Sequence, residues 1–128
     1  MTLLASAAAH SADAIACRGS MQVQHVAQLL FGRNVEDQAR VSEADFSGFV
    51  SREVSPRFPD GFTVLDASGH WRDARRGTVV HEAAKVIEIV LPGGHDDTAK
   101  VDAIVEAYKR QFQQQSVGLI VGPACVRF

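Results

Sequence analysis

The sequence lacks the features that mark several large classes of protein. No stretch approaches the roughly 18 consecutive apolar residues of a membrane-spanning helix, so we expect no integral membrane span. Acids and bases are interleaved and leave a formal net charge of -2, which gives no field of one sign to attract nucleic acid. The motifs of phosphate loops, dinucleotide-binding folds, serine hydrolases and zinc proteases are missing. We therefore expect neither nucleic-acid binding nor a cofactor.

Cysteine is scarce, and the histidines are scattered. Cys17 and Cys125 lie near opposite ends of the chain, and a bridge between them would need an oxidising compartment. We favour two unpaired thiols, with the disulfide as the alternative. The five histidines show no ligand spacing, so no metal site is expected.

The chain of 128 residues is long enough for one domain with its own core. We expect residues 1–20 to form a leader or short helix, 21–122 a single α+β domain, and 123–128 a C-terminal tail. The residues before Cys17 loosely resemble the end of an export signal, but polar residues interrupt them and no basic segment precedes them. The compartment is left open between the cytoplasm and, if the leader is a truncated signal, the periplasm.

The first half of the domain reads as a strand followed by a helix. Side chains from Gln22 to Phe31 alternate with the period of a strand. Ser42 has the position of a helix N-cap, and an apolar stripe with helical spacing runs from Phe46 to Val54. Pro56 is predicted to end this helix.

The second half is predicted to contain several short extended pieces, a long strand, a helix and a last strand. The extended pieces are Phe62–Leu65 and His70–Arg72, separated by a turn at Asp66–Gly69. The later elements are a strand over Thr78–Leu91, a helix that begins at Asp96 or Asp97 and has its apolar face from Val101 to Phe112, and a strand over Val117–Val121.

This order predicts an α+β, ferredoxin-like β-α-β-β-α-β sandwich. It would have a four-stranded antiparallel sheet, two helices on one face and an extra hairpin between the halves. The uncovered face would carry a mixture of apolar and polar side chains, namely Gln24, Val26, Gln28, Val86, Glu88 and Val90. Such a face favours a homodimer or higher oligomer.

Five segments carry a resemblance to a known family. They are Phe31-Gly32, VSEADF at Val41–Phe46, SPRFPDGFTVLDASGHWRD at Ser55–Asp73, HEAAKV at His81–Val86 and VDAIVEAYKRQFQQQSV at Val101–Val117. In this order they resemble the bacterial family called domain of unknown function 3574.

The resemblance covers roughly residues 27–117 and implies a small bacterial protein, often made with an export or lipoprotein leader. It implies little about function. One departure is the end of the first strand, where relatives usually have a sequence like TELYFG and this chain has Ala27–Gly32, AQLLFG. Any role of the missing acid and tyrosine is therefore in doubt here.

Candidate ligand-binding residues cluster around the proline-containing segment. Arg57 and Arg72 could clamp a small anion, because a guanidinium matches a carboxylate or phosphate. Trp71 could form a pocket wall, and Lys85 would lie at the rim of the core. The structural alternatives are ion pairs with nearby acids for the cations, and a plug closing the hairpin onto the core for Trp71, which we slightly favour.

Candidate acid-base residues are Glu82, Tyr108 and His25. Together with Lys85, the first two could transfer protons without a cofactor, although an ion pair and a core tyrosine are the structural alternative. His25 falls on the inward face of the first strand as a core histidine or a pocket base.

Two functions follow from these residues. The first is an oligomeric small-molecule-binding or accessory subunit. The alternative is a cofactor-independent isomerase or lyase acting on a small carboxylate or carbonyl compound. A pocket in which an acid-base pair meets an arginine would favour the enzyme.

Overall fold

The computed structural model describes residues 15–34 and 40–128, so most of the predicted leader lies outside the described residues. The elements in chain order are β1 Gln22–Gly32, α1 Glu43–Phe49, β2 Thr63–Asp73, β3 Thr78–Val90, α2 Asp97–Gln111 and β4 Gly118–Val126. A π-helical segment, Val50–Val54, continues α1. The strands form one antiparallel sheet in the order β2-β3-β1-β4. The α+β class, with two helices and a four-stranded antiparallel sheet, is therefore confirmed.

Local sequence explains how α1 begins. The Ser42 hydroxyl accepts a hydrogen bond from the Asp45 amide, and the Asp45 carboxylate accepts one from the Ser42 amide. This reciprocal capping satisfies two amides at the start of the helix. Val41 and Phe46 are both buried beside it, as their spacing predicts. The helical path ends at Val54, and its C-cap, Ser55, directly precedes Pro56.

The core lies between the helices and one face of the central strands. Alternate residues of β1 and β3, including Leu29, Phe31 and Ile87, are fully buried there. Rings from both helical segments pack edge-on against Phe31, with the Tyr108 ring centroid at 4.7 Å. Aromatic burial of this kind places both helices on the same side of the sheet.

The predicted turn at Asp66–Gly69 is wrong. Residues 63–73 form one continuous strand, β2, which pairs with β3 from Thr63 opposite Glu88 to Asp73 opposite Thr78. The uninterrupted ladder outweighs the turn preference of Asp, Ser and Gly in this segment, since tertiary pairing often overrides local propensity. The single reversal is at residues 74–77, where Gly77 has a φ of 64°.

The β2–β3 hairpin extends beyond the rest of the sheet. β1 pairs with β3 only between Gly32 opposite Ala84 and Val26 opposite Val90. Residues 68–73 and 78–83 therefore form a two-stranded projection, which we call the arm. The arm takes the place of the separate extra hairpin that the sequence predicted.

The end of the chain and the cysteines also differ from expectation. β4 continues through Val126, so most of the predicted tail belongs to the sheet, with Gln22 opposite Val126. Cys17 and Cys125 form a disulfide, which contradicts the favoured prediction of two unpaired thiols. The bridge joins the segment before β1 to the end of β4, and β1–β4 pairing brings the two cysteines together.

The helices of the described chain are all too short or too polar to cross a membrane.

Candidate ligand site at the end of beta1

The strongest convergence of polar side chains lies where β1 ends, at Gly32. The Tyr108 hydroxyl, which reaches this point from α2, donates a hydrogen bond of 2.5 Å to the Gly32 carbonyl. Glu82 approaches the same residue from β3, and a Cβ added to Gly32 would lie 3.1 Å from its carboxylate. Glycine at this position therefore leaves the space that the Glu82 carboxylate occupies.

Glu82 lies beside an exposed aromatic surface. The Trp71 indole donates from Nε1 to Glu82 Oε1 over 3.1 Å, and the Trp71 side chain is on the uncovered face of the sheet with 49% of the residue exposed. Gly69, directly opposite Glu82 across the ladder, has no side chain to cover the carboxylate. Among residues 15–34 and 40–128, Trp71 is the only hydrogen-bond donor to this carboxylate, and it binds Oε1.

A second group of charges lies on the helix side of the sheet, next to the first. Glu43 accepts from Arg33 at 2.9 Å through one oxygen and from Lys85 at 2.8 Å through the other. Lys85 also donates to Asp66. The two cationic side chains are nearly buried while the acids are largely exposed, so the acids neutralise cations at the edge of the core.

The electrostatics of this group follow from its contacts. The hydrogen bond from Lys85 lowers the pKa of Asp66 and is the main cause of the lowered pKa of Glu43. Hydrogen bonds to Asp66 and then to Glu43 raise the pKa of Lys85. All three groups are therefore charged at neutral pH, and Lys85 is held as an ammonium that cannot serve as a base.

Tyr108 is a fixed donor. Burial raises the pKa of the Tyr108 phenol, an effect that nearby Arg33 opposes and nearby Glu82 reinforces. The phenol therefore stays protonated at neutral pH and keeps its hydrogen bond to Gly32. We assign it to positioning the end of β1, where it holds the backbone against which Glu82 lies.

Of the residues singled out from the sequence, Trp71 and Glu82 are hydrogen-bonded to each other on the uncovered face. Glu82 lies against Gly32 from that face, and Tyr108 binds the Gly32 carbonyl from the helix side. Lys85 lies in the neighbouring charge group. The ion pair between Glu82 and Lys85 is wrong, because residues three apart on a strand point to opposite faces. Sequence reasoning also missed Arg33 and Glu43, whose roles depend on contacts between distant elements.

The other candidates lie elsewhere. His25 is exposed and pairs with Pro123, seven residues along β1 from Gly32 and thus about 23 Å away. Arg57 is held by Glu53, which accepts from it through both its carboxylate and its backbone carbonyl. Arg72 is exposed on the arm and makes no hydrogen bond or ion pair within the described chain. The two arginines share no acid, and the guanidinium of Arg57 is already neutralised.

The uncovered face of the sheet is a second feature of interest. It carries the mixed side chains that the sequence predicted, and Gln28 donates to Glu88 across it at 2.9 Å. Leu30, Leu65 and Ile120 are 40%, 46% and 54% exposed on this face. Towards the disulfide it forms a shallow concavity of about 570 Å³. Its floor includes Val26, Gln28, Glu88, Val90, Ile120 and Gly122.

Solved structures share this architecture. A phage SAM lyase in complex with S-methyl-5'-thioadenosine has a TM-score of 0.61 and 19% identity, covering 80% of this chain and 88% of that chain. A phage SAM lyase in the apo state has a TM-score of 0.60 and 21% sequence identity, with 86% of each chain covered. CutA from Synechococcus elongatus has a TM-score of 0.52 and 9% sequence identity, covering 80% of this chain and 78% of that chain. At these identities the likeness is one of fold.

The sequence itself identifies the family. Residues 26–128 match the family described as protein of unknown function (DUF3574), and the chain belongs to that family. This confirms the resemblance found from the sequence motifs. No curated protein matches the chain.

Proposed function

We propose that this chain is a small-molecule-binding protein that acts as an oligomer, with its ligand at the Glu82–Trp71 pair. The observation that carries the proposal is the Glu82 carboxylate, which lies against Gly32 and accepts a hydrogen bond from a half-exposed indole. A flat ring would stack on Trp71. An N–H or O–H donor on the same molecule would bind Glu82.

The chemistry of this pair suits a nucleoside-like ligand. S-methyl-5'-thioadenosine, the molecule in complex with one phage SAM lyase, combines a flat purine with ribose hydroxyl groups. The proposal differs from the small anion expected from the sequence, since Lys85 and Arg57 are neutralised by acids. A thionucleoside is therefore the first probe.

Fluorescence provides a direct test, because Trp71 is the only tryptophan of the sequence. Titration with S-methyl-5'-thioadenosine is expected to change its emission in a saturable manner. Glu82→Gln, which keeps the shape but removes the charge, should weaken binding at least about tenfold. Glu88→Gln is the matched control, an acid of the same strand and face bound to Gln28. Calorimetry without measurable heat, together with unchanged emission, would contradict this ligand class.

The oligomer is proposed to form through the uncovered sheet face. Exposed Leu30, Leu65 and Ile120 on one face favour burial against a second copy. Sedimentation at micromolar concentration should give a mass above the 13.8 kDa of one chain. Ile120→Asp should shift it towards the monomer, while Leu119→Asp, on the opposite face of β4, should not. A monomeric unmodified chain would contradict the proposal.

A ferredoxin-like arrangement is part of the same proposal. The order β2-β3-β1-β4 supports it, since β1 and β3 lie in the centre and each connects through a helix to an edge strand. That arrangement leaves one face of the sheet without helices, which is the face assigned to assembly.

An oxidising compartment, such as the periplasm, is the proposed location. The Cys17–Cys125 bridge supports it, because disulfides rarely persist in a reducing cytosol. While it is in the bridge, the Cys17 sulfur is not available for lipid attachment.

A cofactor-independent lyase is the second candidate, and the Glu82 carboxylate beside Trp71 and the Gly32 backbone favours it. As a base, Glu82 would take a proton from carbon. The C–H electrons would form a double bond while the adjacent leaving group departs with its bonding pair. Chromatography of S-adenosylmethionine incubated with the protein tests this. Consumption that Glu82→Gln abolishes would support the lyase, whereas binding without turnover would leave the first candidate.

A further inference from the structure

Two histidines face each other on the arm. His70 of β2 and His81 of β3 are directly opposite in the ladder, and their ring centroids are 4.3 Å apart with the planes at 79°. Both residues are exposed. The two histidines are eleven positions apart in the sequence, which is not a spacing typical of metal ligands on a helix or in a loop. Only the strand pairing shows that they are neighbours.

The arm holds these two side chains at a fixed separation. The ladder is continuous on both sides of the pair, with Gly69 opposite Glu82 and Trp71 opposite Val80. Directly opposed Cα atoms in an antiparallel ladder are about 4.5–5.5 Å apart. Rotation about the side-chain bonds is therefore enough to point one nitrogen of each ring at a common atom, without movement of the backbone.

Few groups compete for the two rings. His70 Nε2 lies 3.2 Å from the Ser68 hydroxyl, which is on the same side of β2. Arg72 is the next residue on that side in one direction, and the Asp66–Lys85 ion pair lies beyond Ser68 in the other. The polar neighbours of the two rings along this side of β2 are thus a hydroxyl and one cation, and the nearest carboxylate is already paired.

We propose that His70 and His81 form a two-imidazole site for a late first-row divalent cation, with Cu²⁺ the best fit. Imidazole nitrogens are good ligands for Cu²⁺, Ni²⁺ and Zn²⁺, and Cu²⁺ binds most tightly in this series. Water completes the coordination, since the described chain contains no cluster of three or more His, Cys, Asp or Glu side chains arranged for a metal.

The test uses the full, disulfide-bonded chain, in which both cysteines are engaged and no thiol competes for copper. Titration with Cu²⁺ is followed by calorimetry and electron paramagnetic resonance. We expect one tight equivalent with two nitrogen ligands. His70→Ala and His81→Ala should each weaken binding at least about tenfold. His25→Ala, which removes another exposed histidine from the sheet, should leave it unchanged.

The double variant His70→Ala/His81→Ala provides the decisive comparison, since it keeps the other three histidines of the sequence. Cu²⁺ should raise the unfolding temperature of the unmodified chain and not that of the double variant, because only the folded ladder brings the rings together. Equal copper affinity in the two proteins would overturn the proposal, as would a resonance spectrum of the unmodified chain with a single nitrogen ligand.

Discussion

The central and edge strands of the sheet are stabilised in different ways. β1 and β3 have fully buried side chains because the helices pack on them. β2 and β4 lie wholly in the described part of the chain, and none of their residues is buried. Besides the ladder, β4 is held by the disulfide and β2 by the ion pair between Asp66 and Lys85. Apolar burial therefore stabilises the centre, and specific links secure the edges.

Leu29 and Leu119 offer the sharpest test of this difference. They are opposite each other on β1 and β4 and on the same side of the sheet, but Leu29 is 0% exposed and Leu119 is 42% exposed. Leu29→Ala should lower the free energy of unfolding by about 2–5 kcal/mol, because it opens a cavity in the core. Leu119→Ala should change it by about 0.5 kcal/mol. Urea unfolding followed by circular dichroism measures both, and equal losses would remove the distinction between centre and edge.

The disulfide should have the next largest effect. Cys17→Ser/Cys125→Ser removes a link between residues 108 positions apart, and the expected loss in the free energy of unfolding is about 2–4 kcal/mol. The main reason is that the unfolded chain gains freedom without the link. A reducing agent should lower the urea midpoint of the unmodified chain and leave that of the double variant unchanged. Identical midpoints for the two oxidised proteins would mean that pairing with β1 alone secures β4.

The ion pair of β2 predicts a smaller, pH-dependent effect. The pKa of Asp66 is lowered in the folded chain, so its contribution to stability is present at neutral pH and is lost as the pH falls below about 4. Asp66→Asn should therefore reduce stability at neutral pH and flatten its decline in acid. Unfolding midpoints between neutral pH and pH 3 measure this effect. Glu43→Gln is the comparison variant, because the Glu43 carboxylate, which lies on α1, binds the same Lys85 ammonium.

Local patterns predicted the elements that local physics controls. The cap at Ser42, the apolar stripe of α2 and the alternation of β1 each follow from neighbouring residues, and each predicted element is present. The prediction of a turn at Asp66–Gly69 was wrong because these residues pair with β3. That pairing is a contact with another segment, which the local sequence pattern does not show. The end of β4 was missed for a similar reason, since Gly122 and Pro123 suggest a break that pairing with β1 overrides.

The candidate site was only partly predictable. Glu82, Trp71 and Tyr108 attracted notice through their chemistry, but their contacts with one another or with Gly32 depend on how β1, β2, β3 and α2 come together. Trp71 was expected to close the hairpin onto the core, yet it lies exposed on the uncovered face, because its strand position points it away from the helices. A side chain's chemistry is visible in the sequence, whereas its face and its partner depend on the register.

The bridge between Cys17 and Cys125 also restricts when, during synthesis of the chain, the disulfide can form. Synthesis proceeds from the N-terminal side, so Cys17 emerges first and must wait for a partner 108 residues later. Between them come β1, both helices, β2, β3 and nearly all of β4. The bond can close only after these elements have left the ribosome. In a bridged molecule, the residues of β1, β2 and β3 have therefore all been synthesised before the disulfide forms. Oxidation is a late step that links the two ends of the sheet-forming chain.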